Sequence, residues 1–494
     1  MSDGPWESSN RSMKLLLINP RNKVSLYGDY LWEPLAFGYV AAATPGHWDV
    51  ELIDEQCEGV RDYSTVEADL VGLTAFTTQA TRAYDIAAQF RRRGIPVIMG
   101  GIHASLVSQE AANYVDSLFF GECEGSWPQV IADFEAGKLQ PKYDGGTTGG
   151  GLLHPDRRIF RKYRYEYVSA QTSRGCPMDC SFCSVTAFNG RLFRMREVDD
   201  VVAEMRAVPE RDIIFVDDDL NGFSRKAKER CFDLFRKMAD AQLNKQWITQ
   251  VTINFGDDEE LPRAARAAGC AGVFIGLEAT DTKSLALIRK DGTSQRRGIE
   301  YYRENVERIR RNGIGVVGSF ILGLDTQNMA TVAGDILRFA EETDLDGLNP
   351  TIITPLPGTR DYAKYDAEGR ILFKNYPQDW EKYTLAFPVT SMPHVSGAGL
   401  MRKYVDVLQF FRPEHVAARY WRTHETVSPE AAWHTFLWNR VWSNYCLRSG
   451  AFKRSPFAEL YSPEIPREIP TRPTLDLGTI VQSVRPLPAV VAVQ

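Results

Sequence analysis

From Met13 to about Phe134 short apolar runs alternate with amphipathic stretches. "KLLLINP" (14–20) and "DVELIDE" (49–55) read as buried strands, with the helical "PLAFGYVAAAT" between them. "ADLVGLTAF" (68–76), "IPVIMGG" (95–101) and "VDSLFFGE" (115–122) follow, and the helical "TRAYDIAAQFRRRG" precedes the fourth strand. Short apolar strands spaced by helices predict a doubly wound parallel sheet, Rossmann-like in class. Gly100, Gly101 and Gly121 stand at strand ends, where such sheets bind ligands.

A Gly-rich stretch, "GGTTGGGLLHP" (145–155), reads as a flexible linker. A second series then opens with "YEYVSAQTS" (165–173). It continues through "DIIFVDDD" (212–219), "QWITQVTIN" (246–254), "GVFIGLEA" (272–279), "GIGVVGSFILG" (313–323) and "GLNPTIITPLPG" (347–358). Six βα units predict a partial (β/α)6 or full parallel barrel, with its chemistry at the C-terminal strand ends. Beyond Thr359 the periodicity weakens into an aromatic-rich mixed or helical region. The expected division is a disordered leader (1–12), a first α/β domain (13–140), a linker (141–164), a barrel (165–360), a C-terminal substrate-contacting region (361–455) and a Pro-rich tail (456–494).

Composition narrows the function. The chain has 494 residues and a net charge of -6, and no extended basic stripe speaks for nucleic acid. No apolar run reaches membrane-span length and no secretory signal pattern opens the chain. Eight cysteines in so long a chain do not form a disulfide framework, so a reducing cytoplasm is the expected location.

Three of the eight fall within "TSRGCPMDCSFCSV" (172–185), as Cys176, Cys180 and Cys183. C-x3-C-x2-C directly after a strand makes a compact tripod of thiolates. A 4Fe-4S cluster takes Cys ligands, and three of them leave one iron open for an exchangeable group. Zinc would need a fourth protein ligand at recognisable spacing, and Cys123, Cys231 and Cys270 are isolated. The polar residues between the three argue against ordinary core cysteines.

Here the sequence resembles the radical S-adenosylmethionine (radical SAM) superfamily, whose signature is this triplet with an aromatic before the last Cys, here Phe182. The resemblance implies that Cys176, Cys180 and Cys183 each bind one iron and that SAM chelates the fourth. Reductive cleavage of SAM then yields a 5′-deoxyadenosyl radical. It further implies that "FVDDD" (215–219) meets the SAM amino group through Asp217 or Asp218. Glu278 in "GLEA" would meet the ribose or tail, and the backbone at Gly318 in "GSFILGLD" would approach adenine. Singly, each has a plainer reading: a helix cap, a structural carboxylate, a tight turn. Arg194, Arg196 and Lys290 could hold the SAM carboxylate, although solvated surface charge is the simpler reading.

The first domain, placed ahead of such a barrel, resembles the cobalamin (B12)-binding branch of that superfamily. In that branch the corrin rests on strand ends facing the cluster. Gly100, Gly101 and Gly121 would let backbone approach it, and Thr74, Thr77 and Thr78 would donate to its polar rim. The loop "NPRNKVSLYGDY" (19–30) lacks the D-x-H-x-x-G histidine of other cobalamin proteins, and His103 reads as a local hydrogen-bonding residue. An ordinary open sheet whose glycines make turns competes with this reading.

The resemblance implies a cobalamin-dependent methyltransferase acting on an unactivated carbon of a natural-product, lipid or tetrapyrrole-like substrate. The alternatives are cyclisation, rearrangement, oxidation or C–C joining without cobalamin, and, more remotely, an iron–sulfur sensor. An electron donor such as flavodoxin or ferredoxin is the expected partner, and peripheral membrane contact stays open. In the C-terminal region Trp421, Trp433, Trp438 and Trp442 sit at roughly helical spacing and read first as packing residues. A substrate pocket is the sharper reading, with Tyr383 and His394 as proton carriers.

Overall fold

The structure is a computed structural model that describes residues 12–22, 32–147, 153–290, 292–449 and 451, with the side chains of 292–297 excepted. The masked leader and most of the Pro-rich tail lie outside these residues. The chain divides into two compact units, one of residues 1–21 and 34–164, the other of 22–33 and 165–494.

The first unit is built on six strands: β1 (Lys14–Asn19), β2 (Asp49–Asp54), β3 (Leu70–Thr74), β4 (Val97–Gly100), β5 (Ser117–Phe120) and β6 (Lys142–Asp144). Their order is β2-β1-β3-β4-β5-β6 and every pairing is parallel. The expected doubly wound sheet is therefore present. β6 adds a strand inside the stretch read as linker. The side chains of Leu15 to Ile18, Leu70, Val71 and Val97 to Met99 are almost fully buried, as strands covered on both faces require. The order reverses between β1 and β3, which opens a crevice at their C-terminal ends.

The second unit carries β7 (Val168–Ala170), the short antiparallel pair β8 (Ser173–Arg174) and β9 (Arg194–Met195), then β10 (Asp212–Phe215), β11 (Gln246–Val251), β12 (Cys270–Glu278), β13 (Gly315–Leu322) and β14 (Gly347–Ile352). Six of these form one parallel sheet in the order β14-β13-β12-β11-β10-β7, the partial barrel expected from six βα units. Local capping fixes several of its helices. Ser224 accepts from the Ala227 N–H at the start of Arg225–Asp240, and Thr359 does the same for Tyr362.

The C-terminal helix Pro429–Ser449 lies across the starts of these strands. Gly315 and Gly347 open β13 and β14. A Cβ on Gly315 would come within 2.7 Å of Thr435 Cγ2, and one on Gly347 within 3.1 Å of Asn439 Oδ1. His434 meets Tyr167, just before β7, and lies 3.1 Å from Gln246, the first residue of β11. This helix is the floor of the barrel.

Candidate functional site

At the opposite end, β8 leads into the three-cysteine loop, which closes on the helix Ser184–Asn189. The loop has almost no regular ladder of its own, and neighbouring elements hold it. Asp217 accepts from the Thr172 N–H and hydroxyl at 3.1 Å each, and from the N–H and hydroxyl of Ser173. Asp218 accepts from the Gly175 N–H at 3.1 Å. The Ser181 N–H donates to the Ile288 carbonyl at 3.2 Å, and the Asp361 N–H donates to the Ser181 carbonyl at 3.2 Å. Asp179 pairs with Arg289 at 3.0 Å and Arg360 at 2.9 Å.

All three thiols are reduced; Cys180 is buried, while Cys176, Cys183 and Phe182 are half-buried. Burial pushes the Cys176 thiol up to about 12 and Cys180 up to about 11, and raises Cys183 as well. The positive charge that opposes this at every one of the three is Lys290. Among the described residues, no three His, Cys, Asp or Glu side chains converge as a single metal ion requires. A four-iron cluster asks for less convergence, because each thiolate takes a different iron. Three soft ligands on one tethered loop, with a buried cation beside them, fit that group.

The structure sorts the carboxylates differently from the sequence. Asp217 is fully buried and spends its oxygens on Thr172 and Ser173, so it positions the loop and has nothing left for SAM. The residue that sequence reasoning missed is Asp219. Its Oδ1 accepts from the Thr252 N–H at 3.2 Å, while its Oδ2 is buried without a hydrogen-bond partner. Burial raises both Asp218 and Asp219 to about 6, and Asp219 lies in electrostatic range of Cys176 and Lys290. No periodicity distinguishes three successive aspartates; only the backbone path separates them.

Glu278 ends β12 with φ +64 and forms a buried ion pair with Lys290 at 3.1 Å. Gly276 leaves the room, since its Cβ would lie 2.3 Å from Glu278 Oε1 and 2.8 Å from Lys290 Nζ. Burial disfavours the Lys290 charge, but Glu278 and Cys180 outweigh it and hold the ammonium firmly protonated. Lys290 is thus not solvated surface charge. Neither is Arg196, which is buried and 2.6 Å from Glu204. Gly318 sits inside β13, where a Cβ would meet Leu277 and Leu345 within 2.9 Å. Side-chain packing accounts for that glycine without a ligand.

In the first unit, Thr74 and Gly100 end β3 and β4, and Phe76 between them and the next helical turn is 66% exposed. Gly101 has φ +84, and a Cβ there would strike Thr74 Oγ1 at 2.1 Å; on Gly121 it would meet the Gly146 carbonyl oxygen at 2.4 Å. Those two glycines serve close approach of the chain to itself. His103 is fully buried, 3.0 Å from the Tyr84 hydroxyl and 3.5 Å from Thr77 Oγ1, which is the local role read from the sequence. A rim with an exposed aromatic ring, hydroxyls and backbone at the switch point fits a broad planar ligand that takes no imidazole from His103.

The C-terminal region splits in two. Trp438 and Trp442 are floor packing: the Trp438 Nε1–H donates to the Leu348 carbonyl at 2.8 Å, and Trp442 stacks on Phe411 at 5.4 Å. The segment 376–392 instead reaches the catalytic end, where the Ile352 N–H donates to Leu385 at 2.6 Å and Met392 packs near Gly323. Tyr383 is buried, hydrogen-bonded to Tyr376 at 2.7 Å and to the Phe373 carbonyl, and His394 is exposed.

A loop of three thiols at the C-terminal end of a parallel partial barrel, preceded by a doubly wound sheet, defines a radical SAM enzyme with a cobalamin-type first domain. Residues 171–339 match the radical SAM superfamily and residues 24–131 match the B12 binding domain. The chain belongs to the radical SAM superfamily, in the branch that carries a B12-binding domain; a 4Fe-4S cluster, SAM and cobalamin are the cofactors of that pair. It is 26% identical over 396 residues to the bacteriochlorophyllide d C-8(2)-methyltransferase of Chlorobaculum tepidum, covering 76% of this chain and 85% of that one. It is also 26% identical to the hopanoid C-2 methylase of Rhodopseudomonas palustris, covering 74% and 72%. In fold it is similar to the cobalamin-dependent radical enzyme OxsB (TM-score 0.62, 14% identity, 91% and 74% covered). The radical SAM methyltransferase TsrM of Kitasatospora setae is also similar (TM-score 0.58, 18% identity, 74% and 76% covered).

Proposed function

We propose that this protein is a cobalamin-dependent C-methyltransferase that adds a methyl group to an unactivated carbon of a tetrapyrrole- or lipid-like small molecule. The observation that supports this most is the pairing of the three-thiol loop with a B12-binding domain in a chain whose curated relatives include tetrapyrrole and hopanoid methylases. When bound, the cluster supplies one-electron reduction of SAM and the corrin carries the methyl group.

The chain's own residues do the rest. Cys176, Cys180 and Cys183 would each hold one iron, and Asp217 fixes the entry to their loop. Asp219 Oδ2, buried and unpartnered, would accept from the SAM amino group in place of Asp217 or Asp218. Lys290, held by Glu278, would face negative charge at the cluster side. In the first unit Phe76, Thr74, Thr77 and the backbone at Gly100 would border the corrin. The segment 376–392 is the part of the C-terminal region at the catalytic end, so substrate specificity would reside there rather than in the floor helix.

The test is anaerobic reconstitution with iron, sulfide and cobalamin, then incubation with methyl-labelled SAM and candidate tetrapyrroles and polycyclic lipids. Iron and stoichiometric cobalt, with label entering a carbon of one acceptor, is the expected result. Iron with cobalt and SAM cleavage but no label transfer would favour the second reading, cyclisation; an anaerobic magnesium-protoporphyrin IX monomethyl ester cyclase of Rubrivivax gelatinosus is also a relative, at 24% identity. Zinc without iron would overturn both.

A further inference from the structure

The cysteine loop has an outer face marked by Asp179, which lies between Cys176 and Cys180. Its carboxylate is ringed by Arg289 at 3.0 Å and Arg360 at 2.9 Å, with Arg191 a third positive charge nearby. Arg191 Nε donates to the Pro177 carbonyl at 3.4 Å, so this arginine too rests on the loop. All three arginines are exposed. Three guanidiniums against one carboxylate leave this face positive, on a chain whose net charge is -6.

Exposed apolar side chains adjoin it. Phe188 is 36% exposed and Leu192 58%, and they flank Arg191 in sequence. The Leu192 carbonyl oxygen lies where a Cβ on Gly175 would be only 2.1 Å away, so Leu192 sits directly against the residue before Cys176. A small apolar patch inside a charged rim is the anatomy of a transient protein interface.

We propose that this face docks a small acidic one-electron carrier protein. The inference rests on the radical SAM reading of the loop. A partner seated over Asp179 would be separated from the thiols only by the loop that bears them. The transfer is one electron: the carrier is oxidised by one, the cluster reduced by one, and no bond forms or breaks. The negative field of the remaining chain would repel an acidic partner elsewhere and orient it toward the one positive face. An anionic lipid surface has the same charge complementarity; adjacency to the thiols favours the carrier.

The test uses the full-length reconstituted enzyme and reduced flavodoxin as probe, with cluster reduction followed by absorbance and electron paramagnetic resonance. Arg191→Glu is the main variant, because Arg191 makes a single backbone contact while Arg289 and Arg360 also brace the loop. Leu192→Asp is the second. The expected result is a fall of about tenfold in the flavodoxin-driven rate at low salt for each variant. Iron content and dithionite-driven reduction stay unchanged, and the wild-type rate falls as salt rises. A flavodoxin rate that is unchanged in both variants and insensitive to salt would overturn the proposal. So would binding to phosphatidylserine-containing vesicles that is lost in the variants while the flavodoxin rate is kept. A wild-type protein that takes up no iron would instead sink the underlying site reading.

Discussion

Asp217, at the end of β10, holds Thr172 through both the backbone N–H and the hydroxyl, each at 3.1 Å. The strand that carries no iron ligand therefore sets the position of the loop that carries three. Replacing Asp217 with Ala would leave the Thr172 and Ser173 N–H groups buried and unpaired, at a cost of about 2–4 kcal/mol. Iron bound per chain should drop with the melting temperature, and Asp217→Asn should recover part of both. Retention of full iron in Asp217→Ala would contradict a positioning role.

Asp219 should behave in the opposite way. Its Oδ2 has no protein partner, so Asp219→Ala costs less fold stability than Asp217→Ala. SAM affinity, measured by equilibrium dialysis on cluster-loaded protein, should fall at least about tenfold, the loss of one charge-assisted hydrogen bond. Unchanged affinity would return the role to Asp218.

The Glu278–Lys290 pair is buried, so removing one partner is worse than removing both. Lys290→Met alone should destabilise by about 3–5 kcal/mol, and Lys290→Met with Glu278→Gln by distinctly less. A double-mutant cycle in urea measures the difference, and simple additivity would show that the two do not depend on each other.

His434 gives the floor a pH response. Burial lowers its pKa from 6.5 to about 4, against the opposing influences of Arg211, Arg266 and Glu430, with Asp212 3.8 Å from its Nε2. The unfolded chain then binds this proton more readily. The stability is complete above pH 6.5 and is lost as pH falls toward 4, roughly 2 kcal/mol of it between pH 7 and 5. His434→Gln should flatten the urea midpoint over that interval.

Both sheets were legible because their strands are buried on both faces and so read as unbroken apolar runs. β6 (Lys142–Asp144) was not: "KYD" is a three-residue edge with no apolar pattern, and only its partner β5 defines it. At the site, spacing alone disclosed Cys176, Cys180 and Cys183, because ligand chemistry demands the type as well as the interval. It could not rank Asp217, Asp218 and Asp219, which differ only in the direction each takes from one turn. Gly318 and Gly101 misled for a related reason. A glycine signals close approach without saying what approaches, and here the neighbours are Leu277 and Thr74.

The bonds from Ser181 to Ile288 and Asp361 moor the cysteine loop to the rest of the barrel from outside its strands. No strand of the six-stranded sheet needs that loop to complete its ladder. Construction of the enzyme can therefore run in two stages, with the barrel folding first on its own hydrogen bonds and metal arriving at a finished frame. Iron delivery becomes a late and reversible event in the life of the chain. Hydrogen exchange would record it as protection gained at residues 175–184 upon cluster loading while the sheet's own protection stays as it was.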